Sequence, residues 1–302
     1  MKTNINICIF TVALAAAVIS CQTFAQVADA GAQMAGASGV INQNTASAIS
    51  NSSKAIGSAA EEITPEQEYY IGRAVAANIL SSYKIWNGKP ALTSYLNLIC
   101  KAIVINSPRP DVYNGYHLAI LDSNEINAFA TSGGHIYVTR GLINAAQSED
   151  ALAGVIAHEI AHIQLQHGIK AIKNSRITQA LIVTGTSAAG AATGMNVNQL
   201  TDVFNESIGE IVTTMVNNGY SKTQEFDADT TAMKLMAAAG YNPSGLIDML
   251  KELAKIQTGS SGFGKTHPTP AQRITNAEKS IKKVKVTDTR SYRQKRFAAG
   301  TK

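Results

Sequence analysis

Two histidines four residues apart, with a glutamate beside the first, form His158-Glu159-Ile160-Ala161-His162 in this 302-residue chain. On an α-helix, positions four apart differ by about 40° around the axis and about 6 Å along it. Both imidazoles can therefore aim a nitrogen at one metal ion, and Glu159 can reach a water on that metal. This is the H-E-x-x-H arrangement of zinc peptidase chemistry, in which the metal acidifies the water and the carboxylate takes its proton. The residues just upstream, Ala151 to Ala157, are apolar on every face of such a helix, so the helix belongs inside the protein. Polar groups on a buried helix need partners, and a metal with its water supplies them.

A catalytic zinc takes three protein ligands and keeps one position for water. His167 is the nearest further donor. Along a straight helix, though, five residues from His162 is about 500° of rotation, which points His167 some 140° away from that ring. His167 is therefore read as a helix-end residue. The better third ligand is downstream, in Tyr220-Ser221-Lys222-Thr223-Gln224-Glu225-Phe226-Asp227-Ala228-Asp229. Glu225 and Asp229 share a face of the helix expected there. Glu225 can bind the metal while Asp229 orients a ligand histidine through its second ring nitrogen.

Positioning these groups requires at least two packed helices. Ser148 starts the first, with Glu149 and Asp150 at its positive end, and Gly168 ends it. The second covers about Lys222–Ala239 and stops at Gly240, and Asn242-Pro243 opens another that runs to about Ile256. Upstream, Thr64-Pro65-Glu66-Gln67 reads as a capping box opening a helix to about Tyr83, followed by a helix over Pro90–Val104. The period then changes. Tyr116–Leu121 reads as a strand, and Ala128–Ala130 and His135–Thr139 as a pair joined through Ser132-Gly133-Gly134.

In this order the motifs resemble metallopeptidase family forty-eight, the gluzincins with HtpX-like, Oma-like and periplasmic BepA- and LoiP-like members. The resemblance runs from about Thr64 to Ile274. It rests on Asn127-Ala128-Phe129-Ala130 with Gly134–Leu142, His158–His162, Glu225-x-x-Ala228-Asp229, and His267-Pro268 with Arg273. Lys222 stands where the family usually has Arg, and Thr230-Thr231 replaces commoner residues; neither is a metal ligand. The resemblance implies an α+β, mostly helical, zincin-like fold with a small sheet beside the H-E-x-x-H helix. It implies one zinc per chain on His158, His162 and Glu225, Glu159 as base, and Asp229 behind a ligand. His135, Ile136, Tyr137 and Val138 would be an edge strand that takes the substrate as an added strand. His267, Tyr220 and Arg273 are read as oxyanion or regulatory groups near the site. The expected activity is a zinc endopeptidase acting on misfolded or unassembled envelope polypeptides. A chaperone-like or binding module that keeps the fold without the chemistry is the alternative.

The remaining chain sets the context. The start, MKTNINICIFTVALAAAVISCQTFAQ, has Lys2 before an apolar stretch too short for a comfortable span, which reads as an export signal over residues 1–25. Cleavage before Cys21 would lipidate that cysteine and anchor the protein to the envelope membrane; cleavage after Ala25 would leave it soluble in the periplasm. Residues 26–60, rich in Ala, Gly, Ser, Asn and Gln, suit a tether or a weakly held helix. The peptidase domain is expected over 61–280. From Ile281 onward there are eight Lys/Arg against one Asp, leaving 18 basic and 20 acidic side chains over the other 280 residues. The net charge of +5 thus belongs to a tail expected to be disordered, and nucleic acid is not an expected partner. The uncharged stretch 177–201 reads as packed small-residue helices. Cys100 is expected to be a buried small hydrophobe, so the fold stands without a disulfide.

Overall fold

The computed structural model describes residues 21–39, 42–43, 46–47, 50, 62–171, 219–256, 267, 269–284 and 290–301. The first twenty residues of the expected export signal and the 177–201 stretch lie outside them. The chain divides into two units, Met1–Ile63 with Ala171–Ser207, and Thr64–Lys170 with Ile208–Lys302. The first unit contains α1 (Cys21–Ala37), an alanine-rich helix whose Asp29 accepts a hydrogen bond from Ser50. Residues 26–37, within the stretch that suits a tether or weak helix, are therefore helical.

In the second unit, α2 (Pro65–Ser82) opens on the expected capping box. Thr64 Oγ1 accepts from the Gln67 amide at 3.2 Å, and Gln67 Oε1 accepts from the Thr64 amide at 2.9 Å. α3 (Pro90–Val104) buries Leu92, Leu96, Ile99 and Ile103 on one face, with Cys100 among them. Three strands follow: β1 (His117–Leu121), β2 (Ala128–Thr131) and β3 (His135–Thr139). The short α4 (Arg140–Ala145) leads into α5 (Glu149–Gln164), capped by Ser148. α6 (Lys222–Ala238), α7 (Ser244–Ile256), α8 (Pro270–Ser280), a 3-10 turn (Ile281–Lys283) and α9 (Arg290–Thr301) complete the unit.

α5 is the axis of this fold. Every residue from Glu149 to Ile163 is buried, because α3, α6, α7, α9 and the sheet pack around it. The architecture is α+β and mostly helical, with the three-stranded sheet beside α5.

The sheet order is β1-β3-β2, with β1 parallel and β2 antiparallel to β3. This corrects the expectation for His135, Ile136, Tyr137 and Val138. They lie on the middle strand, their main chain paired on both sides, for example Ile136 with Leu118 and with Ala130. The hairpin through Ser132-Gly133-Gly134 was legible, but β1 takes the far side of β3. Among the described residues β2 pairs with β3 alone, and β2 also packs on α5.

A second correction concerns 281–302. Instead of a disordered tail, residues 290–301 form α9, which docks on α3 and α5. Its basic side chains have specific acidic partners: Arg293 Nε lies 2.7 Å from Asp150, and Arg296 Nε donates to Glu149 at 3.1 Å. Charge count suggested solvation, whereas two of those charges close the buried start of α5. Among the described residues no helix is long and apolar enough to cross a membrane.

Candidate active site

His158 and His162 stand one turn apart on α5, and Glu225 comes to them from the first turn of α6, which Ser221 and Gln224 open with a second capping box. His267, just ahead of α8, completes the group: one donor atom from each of His158, His162, Glu225 and His267 lies within 4.8 Å of the others, and all four residues are buried. The Nε2 atoms of the two α5 histidines are 3.1 Å apart, and they lie 3.5 Å (His158) and 3.6 Å (His162) from the Glu225 carboxylate. His267 Nδ1 sits 2.9 Å from both Glu225 oxygens.

A second ring of contacts holds these donors. His158 Nδ1 is 3.0 Å from Asp229 Oδ1, so the Asp229 carboxylate lies behind that ring. Arg273, fully buried, grips Asp229 with Nε at 2.9 Å and Nη2 at 2.6 Å, and its Nη1 is 3.5 Å from Glu225. With its guanidinium committed in this way, Arg273 braces the carboxylates. The Tyr220 ring stacks on His162 at 4.3 Å and 20°.

The electrostatics follow from burial and charge. Burial and the Arg273 guanidinium push the His158 pKa down, but hydrogen bonds to Asp229 and Glu225 outweigh them and lift it to about 9. Burial, and then the neighbouring His158, hold His162 well below its usual value. Burial would raise both Glu225 and Asp229, yet Glu225 is pulled well down by His267 and Arg273, and Asp229 is pulled down by Arg273. Glu159 moves the other way: burial raises it above the ordinary carboxylate range. Among the described residues its buried Oε1 has no hydrogen-bond partner, and His267 Nε2 lies 3.9 Å away.

Imidazole nitrogens and a carboxylate are the donor types of zinc sites. They converge here beside an orphaned buried carboxylate oxygen, so the residues fit a metal carrying a water. The family model described as "Peptidase family M48" matches residues 90–281, which include all of these side chains. The chain belongs to peptidase family M48. Among curated M48-type relatives it is 31% identical to metalloprotease LoiP of Escherichia coli over 152 residues, half of this chain and 57% of that one. It is 27% identical to a putative beta-barrel assembly-enhancing protease of Vibrio cholerae over 227 residues, 72% of this chain and 45% of the relative. It is 25% identical to mitochondrial metalloendopeptidase OMA1 of Schizosaccharomyces pombe over 197 residues, 64% of this chain and 54% of that one. The chain thus spans about half the length of the curated relatives it matches.

The placement of His167 differs from what the sequence suggested. His167 is not among the four clustered donors, as expected, but it does not point away from His162 either. It is buried, with Nδ1 2.9 Å from His162 Nδ1, and burial and the nearby Lys170 lower its pKa to about 4. The straight-helix projection fails because α5 ends at Gln164 and the backbone breaks at Leu165-Gln166.

Proposed function

We propose that this M48 chain is a zinc-dependent endopeptidase that hydrolyses envelope polypeptides, chiefly misfolded or unassembled ones. The observation that carries the reading is Glu159, a buried carboxylate with an unpartnered oxygen beside the four-donor cluster. His158, His162 and Glu225 would hold the ion, one per chain. Zinc bound there would acidify a water and polarise the scissile carbonyl. Glu159 takes the proton of the attacking water and passes it to the leaving amine, a task suited to a carboxylate whose pKa burial has raised. Asp229 fixes the His158 ring through Nδ1, and Arg273 holds Asp229.

Tyr220 is assigned as the donor to the oxyanion, since burial keeps its phenol protonated and its ring lies on His162. His267 would serve in a resting state as a further donor beside His158, His162 and Glu225. An extended substrate segment would add to β2 (Ala128–Thr131), through main-chain hydrogen bonds that tolerate many sequences. The envelope assignment draws on the export-signal reading of residues 1–25 and on the name of the Vibrio cholerae relative. Under it the protein is periplasmic, either soluble or anchored through a lipidated Cys21; mass spectrometry of the mature N-terminus distinguishes these.

The test compares wild type with Glu159→Gln on an unfolded casein-type substrate, with zinc quantified in both. Turnover should fall by at least about 100-fold, the scale of a lost general base, while zinc stays near one per chain. Full cleavage by Glu159→Gln would refute the assignment. A zinc-loaded wild type that binds unfolded protein without cutting it would instead favour the chaperone-like reading.

A further inference from the structure

We propose that His167 is a positioning residue that sets the tautomer of His162 and so keeps that ring's Nε2 directed at the metal. The inference rests on the reading of His158, His162 and Glu225 as metal ligands, and it adds a residue outside that set.

The backbone supplies the first observation. Gln166 has φ 54°, and it is the non-glycine residue with positive φ among those described. The left-handed conformation is unfavourable for an ordinary residue, so it persists where surrounding structure holds it. Here the Gln166 amide donates to Ile163 O at 3.0 Å, and its side chain donates to Glu68 Oε2 at 3.4 Å. Glu68 is itself buried and paired with Arg109 at 2.9 Å. The turn at Leu165-Gln166 lets a helical turn restart at residue 167, so His167 comes back against His162. The rings are 4.9 Å apart and inclined at 71°, which suits an edge-on nitrogen-to-nitrogen hydrogen bond.

The second observation is which nitrogens meet. His162 turns Nε2 toward the donor cluster and Nδ1 toward His167 Nδ1, 2.9 Å away. A ligand imidazole must present an unprotonated nitrogen, so with Nε2 on the metal the ring proton sits on Nδ1. That N–H has His167 Nδ1 as its acceptor, which requires His167 to carry its own proton on Nε2. The other α5 histidine has the same arrangement with a different acceptor, since His158 Nδ1 faces the Asp229 carboxylate. One ligand ring is thus backed by an anion and the other by a neutral imidazole. A neutral acceptor makes His162 a less basic ligand than a carboxylate would, leaving more positive charge on the ion for water and carbonyl.

The test uses the full chain and two readouts that need no turnover: zinc affinity by competition with a chromophoric chelator, and the visible spectrum of the cobalt(II)-substituted protein. His167→Ala should weaken zinc binding by about 10–100-fold and shift the cobalt bands. His167→Asn, whose amide oxygen can accept the Nδ1–H bond, should recover much of that loss. His167→Phe, which fills the space without accepting, should not. If His167→Ala binds zinc as tightly as wild type, the inference is overturned while the metal site stands. It is likewise overturned if Asn and Phe behave alike, since the residue then only packs. A wild type that binds no zinc removes the metal reading itself, and this inference with it.

Discussion

Once chelator has removed any metal, hydrogen bonds to Asp229 and Glu225 favour the protonated form of His158, although the Arg273 guanidinium beside the same carboxylates opposes it. The folded His158 pKa of about 9 exceeds the ordinary histidine value of about 6.5. The stability it contributes is therefore fully present below about pH 6.5 and lost as pH rises toward about 9. Asp229 and Glu225 have depressed values, so their contribution is present at neutral pH and lost as acid protonates them. Chelator-treated protein should melt at highest temperature between these limits and lose melting temperature from neutral pH toward pH 9. Zinc must displace the His158 proton, so zinc affinity should rise over the same interval. Calorimetry with and without zinc measures both, and a flat alkaline limb in the metal-free protein would contradict the assigned proton. At the same scale, His267→Ala should loosen zinc and raise turnover of the zinc-saturated enzyme, because a fourth protein donor competes with water. If zinc occupancy and turnover both stay at wild-type levels, His267 is only a loop residue.

Among the helices, the contact of α5 with α7 depends on two glycines. A Cβ on Gly154 would come 2.8 Å from Leu246 Cα, and one on Gly245 would come 2.4 Å from the Asp150 backbone. Backbone cannot yield as a flexible side chain can, so Gly154→Ala should cost on the order of 1–3 kcal/mol. A lowered urea midpoint with the ligand residues unchanged is the expected result; an unaltered midpoint would mean that α7 shifts freely. Such elements show how far the sequence could be read. The capping residues Thr64, Ser148 and Ser221, the helical periods and the His158–His162 spacing are local signals, and they pointed to the helices and to three of the four clustered donors. The strand order was not local: alternation in His135–Thr139 marks a strand, whereas its place between β1 and β2 depends on pairings across the sheet. The left-handed Gln166 was equally hidden, because Leu-Gln-His carries no glycine or asparagine to mark a break. Its cause is tertiary, in the bond to Glu68 on α2.

For the second unit as a whole, the basic C-terminal segment is part of the fold. Glu149 and Asp150 lie at the positive end of α5 and are buried, so they need partners beyond the helix dipole. Asp150 receives the Asn242 amide at 2.9 Å and Arg293, whose own side chain is only 3% exposed. Glu149 receives the Tyr95 hydroxyl at 2.9 Å and Arg296, which is 54% exposed. The two arginines should therefore differ. Removing the buried Arg293 strands Asp150 at a cost of about 3–5 kcal/mol, whereas removing Arg296 leaves the buried Glu149 its bond from the Tyr95 hydroxyl and admits water where the exposed guanidinium lay, a smaller cost. Arg293→Ala should lower the urea midpoint much more than Arg296→Ala does. Truncation after Val284 should do at least as much as Arg293→Ala, since it also uncovers the core that Phe297 packs against. Because α5 carries His158 and His162 two and three turns beyond the stapled end, loss of α9 should weaken zinc retention at moderate urea before global unfolding. Equal midpoints for the two arginine variants would mean that burial of Arg293 does not govern how α9 holds α5.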